Sequence, residues 1–285
     1  MQDIWIIICV GLISISCSIL GCFLILRKMG MLTDAIAHSI LPGIVIAYLI
    51  SETKNNFIIL FVATIFGVFT AFLTTWINRR LPNRGDTATG ITFTFLFAVG
   101  IILVTLFAEQ ADVDQECVLF GEMLYIPFDT LDIFPTYDIP RAFPLGGFVF
   151  ICVVIFVKKA YRPLWMITFD ESYALSIGIS VSLWHYLLIS LVSMVTVASF
   201  ELVGSVLVVA LFVIPPATSY IISKNLEKMI KWSILFGLLS VVLGYYISVI
   251  FGGSSAASIV IIETIIFLIV LVYSKIFTNN FYYVK

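Results

Sequence analysis

The sequence predicts an all-α polytopic membrane protein with about eight or nine transmembrane helices, and three observations carry that reading. Of its 285 residues, 61% are hydrophobic and only 11% are charged, with a mean hydropathy of +1.15. Ordinary soluble domains are about 45–50% apolar and about 25% charged, and no water-soluble core of this size absorbs so much apolar surface. The apolar residues also fall into long uncharged runs, and a spanning helix needs about 20 of them. Finally, the basic residues fall between the runs in a pattern that gives the chain a sidedness. Residues 1–285 read as a single membrane domain.

The runs lie near 4–26, 31–50, 57–77, 89–108, 145–157, 183–199, 202–222, 232–251 and 258–274. The first is a retained helix. Met1-Gln2-Asp3 offers no positive segment before it, whereas Arg27 and Lys28 follow it, the opposite polarity to a secretory signal. The run at 145–157 is short and is expected to extend into a flank. All are uncharged except the second, which holds Asp34, and the last, which holds Glu263. Alternating sides across nine spans puts 13 of the 15 Lys and Arg on one face, leaving only Lys54 and Arg141 opposite. By the positive-inside rule that face is cytoplasmic, which places the N-terminus outside and the C-terminus inside.

Residues 109–144 then form the largest outer segment. It carries eight acidic residues. It either concentrates cations at an entrance or is a solvated loop, and its apolar patch at 117–126 is short enough to dip into the membrane without crossing. Cys9, Cys17, Cys22, Cys117 and Cys152 have no CxxC spacing and read as small buried residues. A net charge of −2 with no basic tail gives no sign of nucleic-acid binding.

Ionisable groups inside a membrane are expensive and mark functional sites by default. Asp34 and His38 are four residues apart, which stacks both side chains on one helix face. A carboxylate with an imidazole suits Mn, Fe(II) or Zn. The same pair also serves a proton relay, or simply satisfies itself. Pro42 continues the stripe and is expected to kink or open the helix, as are Pro215 and Pro216 further on. Glu201, at an outer turn, is a candidate for lining a vestibule. Glu263 has no obvious partner and is placed about one turn inside the last span. His185, between Trp184 and Tyr186, reads as an interface residue.

Several of these residues fall into ordered blocks. Gly21-Cys22-Phe23, Leu26-Arg27-Lys28-Met29, Asp34-Ala35, His38 and Leu41-Pro42-Gly43 together resemble the permease subunits of the manganese/zinc/iron ABC importers. Asp86 to Phe93, Leu119-Phe120-Gly121, Phe169-Asp170 with Ala174 and Gly178, and Glu201 to Gly204 followed by Pro215-Pro216-Ala217-Thr218 resemble further blocks of that family. The set covers residues ~20–255. Pro216 stands where the family usually has alanine, and Glu263 lies in a span that is usually uncharged.

The resemblance implies a shortened form of the vitamin B12-type (type II) importer permease fold. It implies that Asp34 and His38 contact the transported Mn²⁺, Zn²⁺ or Fe²⁺, and that no cofactor is bound permanently. It implies a cytoplasmic coupling segment at about 158–178, with a short helix over 164–178 seated in an ATPase subunit through Phe169, Asp170, Glu171, Ala174 and Gly178. The expected partners are a second copy of the chain, two cytoplasmic ATP-binding subunits, an extracytoplasmic metal-binding protein and the lipid of a bacterial plasma membrane. The chain has no GxxxxGK[ST] phosphate loop, so it is expected to be a transport subunit rather than an enzyme. A proton-coupled metal transporter and a permease for a vitamin or metal chelate remain as alternatives. An intramembrane enzyme is disfavoured by the lack of HExxH and GxSxG motifs and by the presence of only two histidines.

Overall fold

A computed structural model describes residues 2–51, 56–80, 85–107, 123, 126, 130–131 and 139–277. Its helices are α1 (Gln2–Leu26), α2 (Met31–Ser51), α3 (Asn56–Arg80), α4 (Gly85–Phe107), α5 (Ala142–Phe169), α6 (Glu171–Ser176), α7 (Val181–Val203), α8 (Ser205–Ile222), α9 (Leu226–Phe251) and α10 (Ser255–Phe277). Thr130–Leu131 and Ile139–Pro140 pair as a minimal antiparallel hairpin. Eight of the helices are long and apolar enough to cross a membrane, and α2 adds a shorter apolar stretch. This agrees with the predicted all-α membrane fold and span number. Most of the acidic outer segment, with its 117–122 patch and Cys117, lies outside the described residues, although Met123 and Ile126 are buried in the core.

α1 is the central post. It packs against α5, α7, α8 and α9. A helix that is apolar on every side belongs in a core, and α1 meets close neighbours through small residues. Ser18 and Ser233 exchange long hydrogen bonds between α1 and α9, each hydroxyl reaching the other's carbonyl at 3.3 and 3.4 Å. Cys9, Cys17 and Cys22 are buried free thiols and Cys152 is a partly buried one, as expected.

A very close approach joins Gly21 and α8. Pro216 has no N–H, so the carbonyl of Phe212 lacks its normal helical donor. Gly21 lies directly against that carbonyl, and any side chain there would overlap it. The proline and the glycine therefore form one packing device, although 195 residues separate them.

Two sequence expectations about the helices are corrected. Pro42, Pro215 and Pro216 do not break their helices. α2 and α8 run through them, with Pro42 inside the one and both Pro215 and Pro216 inside the other. Neighbouring helices hold the backbone in place where it loses hydrogen bonds. The short run at 145–157 extends into both flanks, as its length led one to expect, and is part of α5, a 28-residue helix with Pro163 inside. At 1.5 Å per residue it is about 42 Å long, more than the roughly 30 Å apolar core of a bilayer. Residues 158–169, assigned from sequence to the coupling segment, are the last turns of α5. Lys158, Lys159 and Arg162 ended the apolar run but not the helix.

Candidate functional site

α3 fixes the orientation of α2. Ser39 and Thr70 share a hydrogen bond at 2.6 Å between the two helices. Gly43 lies against Ala63 and Phe66, and Gly67 of α3 lies against Ser193 of α7. With that face held, the stripe bearing Asp34 and His38 turns toward α4. The imidazole of His38 meets Phe93 at 5.1 Å and Phe97 at 5.7 Å between ring centres, and these two rings are 6.1 Å apart.

His38 Nε2 and Asp34 Oδ1 are 3.4 Å apart, with 28% and 39% of the two side chains exposed. That separation is longer than a well-formed hydrogen bond. Both groups are reachable, and neither is consumed by the other, so the arrangement leaves nitrogen and oxygen lone pairs for a cation. Asp34 sits in the first turn of α2. Among the described residues no three His, Cys, Asp or Glu side chains converge. A cation held here takes the rest of its shell from water or from groups outside such a cluster of described residues.

One turn before Asp34, Met31 and Leu32 line a cavity of about 280 Å³. Arg27, Asn78, Asp86 and His185 line it too, from the α1–α2 turn, α3, α4 and α7. His185 is thus a cavity residue as well as a helix-end one. The α1–α2 turn closes with Met29 N–H donating to the Leu24 carbonyl and Lys28 N–H to the Ile25 carbonyl. This places Lys28 at φ +56°, a left-handed conformation normally taken by glycine. Arg27 is largely buried beside it. Burial pushes its guanidinium below the usual arginine range, and the charge of Glu171 on α6 partly offsets that.

This geometry can be set against known proteins. The chain is 39% identical to the manganese transport system membrane protein MntC of Halalkalibacterium halodurans, covering 95% of this chain and 84% of that protein. It is 37% identical to the manganese transport system membrane protein MntD of Bacillus subtilis, covering 86% and 82%. The solved structure of PsaBC from Streptococcus pneumoniae in complex with Fab has a chain that superposes with a TM-score of 0.78 at 30% identity, covering 96% of this chain and 94% of that one. The model of the ABC 3 transport family matches residues 2–274. This chain belongs to the ABC 3 transport family.

In this ABC 3 chain the segment after α5 has a clear local logic. The Asp170 side chain accepts a hydrogen bond from the Tyr173 N–H at 2.9 Å and so caps α6. Gly178 takes φ +83° as the helix ends, and Ile179 N–H donates back to the Ala174 carbonyl. The helix is shorter than expected, Glu171–Ser176 alone, because 164–169 belong to α5. Ala174 is fully buried, so it anchors α6 and is not available to a partner. Phe169 packs on the core and stacks near Trp165 at 5.5 Å. Asp170, Glu171 and Gly178 are exposed, and beside them Tyr173, Leu175 and Ile177, each about half exposed, form the outward apolar surface. The sequence pattern did not single out these three, although apolar side chains alternating through this short segment were a readable signal. It also missed Phe97, which repeats Phe93 one helical turn on.

The other expected site residues are dispersed. Glu201 is in the last turn of α7, and its side chain lies outside the described residues. Glu263 is more than two turns inside α10, deeper than expected, and buried.

Proposed function

We propose that this chain is the membrane-spanning permease subunit of an ATP-driven importer for divalent transition-metal ions, manganese first, with zinc and iron(II) as close competitors. Asp34 and His38 form the metal-contacting pair of the pathway. The observation that carries this is their placement: two accessible ligands 3.4 Å apart on one turn of α2. The names of the relatives support manganese as the cargo.

The rest follows from the arrangement. A cation released at the outer face passes to the Asp34–His38 pair, then past Met31 and Leu32 into the cavity lined by Asp86 and Asn78. Phe93 and Phe97 hold the ring upright and exclude lipid. α6 docks on an ATPase subunit through Tyr173, Leu175 and Ile177. Two copies of the chain, two ATPase subunits and an extracytoplasmic metal-binding protein complete the importer. The basic helix ends and α6 face the cytoplasm of a bacterial plasma membrane, with the N-terminus outside.

The test is manganese uptake by the reconstituted complex with Asp34→Ala and His38→Ala. Both variants should assemble and hydrolyse ATP yet lose uptake. Normal uptake by either folded variant overturns the assignment. Uptake that follows a proton gradient and ignores loss of the ATPase favours a secondary transporter instead.

A further inference from the structure

Glu263 does not belong to the Asp34–His38 site and calls for its own account. It lies eight residues after the first residue of α10, about 12 Å along the helix axis and so well inside a bilayer core of about 30 Å. Its side chain is 1% exposed, and neither carboxyl oxygen has a hydrogen-bond partner. Among the described residues, no other Asp, Glu, Lys or Arg is buried to this degree.

The helix register shows what surrounds it. α10 packs on α8 and α9. On α9, Ser248 hydrogen-bonds Ser255 at 2.9 Å, and one turn further in Gly244 lies against Ile259. The next turn of this antiparallel pair sets Ser240 opposite Glu263. The Ser240 hydroxyl already donates to the Phe236 carbonyl at 2.8 Å. It makes no hydrogen bond to Glu263. On α1, the Cys17 thiol lies beside Ser199 and within electrostatic range of Glu263. Other titratable groups on these elements are remote or turned elsewhere. Tyr220 of α8 and Glu227, Lys228 and Lys231 of α9 lie toward the opposite helix end. Tyr245 donates to Asp3 at 2.6 Å, and Tyr246 is exposed.

Among the described residues no cation is therefore at hand to pair with a carboxylate, and no convergent ligand set exists to hold a metal there. An unpaired charge in this setting costs several kcal/mol, which a single bound proton removes. We infer that Glu263 is a proton-binding site: the packed α8–α9–α10 unit holds it as a neutral carboxylic acid, and separation of these helices releases the proton. When the helices separate, water reaches the carboxyl and it ionises. The packed form therefore binds one more proton than the separated form. It is favoured at low pH and loses about tenfold in relative population per pH unit on going up through the neutral range.

The test uses the full chain in lipid nanodiscs and needs neither metal nor ATPase. Infrared spectra at neutral pH should show a carboxylic-acid C=O stretch that is absent from E263Q. Heat-unfolding midpoints of the wild type should fall as pH rises from about 5 to 8, with the one-proton slope above, whereas E263Q should be flat over that range. If E263Q folds poorly, E263L supplies the second uncharged comparison. Identical wild-type and variant spectra in the carboxylic-acid region, or identical pH slopes, overturn the inference.

Discussion

Replacing Gly21 with alanine should force α1 away from α8. A Cβ built on Gly21 lies 2.7 Å from Pro216 Cγ and 3.1 Å from the Phe212 carbonyl carbon, and overlaps the Phe212 carbonyl oxygen outright. Carbon atoms rest about 3.5–4.0 Å apart, so the helices must part by roughly 1 Å. The obstacles are backbone and a proline ring, neither of which can swing aside as a flexible side chain would. Overpacking in a close-packed interior costs about 1–3 kcal/mol, and this site belongs at the upper end. About 3 kcal/mol is a loss of over 100-fold in the folded-to-unfolded ratio. Gly253→Ala is the control, since nothing lies within 4 Å of a Cβ there. Thermal unfolding of the purified chain in detergent should show G21A strongly destabilised and G253A unchanged. If G21A melts with the wild type, the Gly21–Phe212–Pro216 contact is not the constraint described.

Further outcomes are expected. Phe93→Ala and Phe97→Ala should each weaken manganese uptake at subsaturating metal about two- to tenfold, since an aromatic contact contributes about 0.5–1.5 kcal/mol to holding the His38 ring. Asp170→Ala removes the α6 cap and should cost about 1 kcal/mol of local helix stability, with Asn restoring it; the readout is amide exchange across 171–176. Leu175→Asp combined with Ile177→Asp should abolish co-purification of the ATPase subunit while leaving the melting temperature of the permease unchanged.

How far the sequence revealed the molecule depends on the kind of contact involved. The spans were legible because each helix must be apolar over most of a bilayer thickness. α5 was cut short because Lys158, Lys159 and Arg162 mark where the helix leaves lipid, not where it ends. The breaks expected at Pro42 and Pro215-Pro216 did not form, since tight packing keeps a helix running past missing hydrogen bonds. Asp34 and His38 were legible because both lie on one helix at a fixed spacing. Phe97, in contrast, reaches His38 only through the packing of α2 on α4, which no local pattern encodes. The same holds for Gly21 with Phe212. In α6 the local roles of the expected residues come from the backbone: Asp170 caps, Gly178 turns and Ala174 anchors, and none of these was readable without the helix bounds.

The central claim is that a transported metal ion contacts Asp34 and His38. Only two histidines are present, so nitrogen hyperfine coupling on bound Mn²⁺ gives a direct answer. The measurement is electron–nuclear spectroscopy on the permease–ATPase complex loaded with Mn²⁺ in the absence of the extracytoplasmic binding protein. The account predicts an imidazole coupling that persists in His185→Ala and disappears in His38→Ala. A coupling that survives His38→Ala, or none in the wild type, contradicts it.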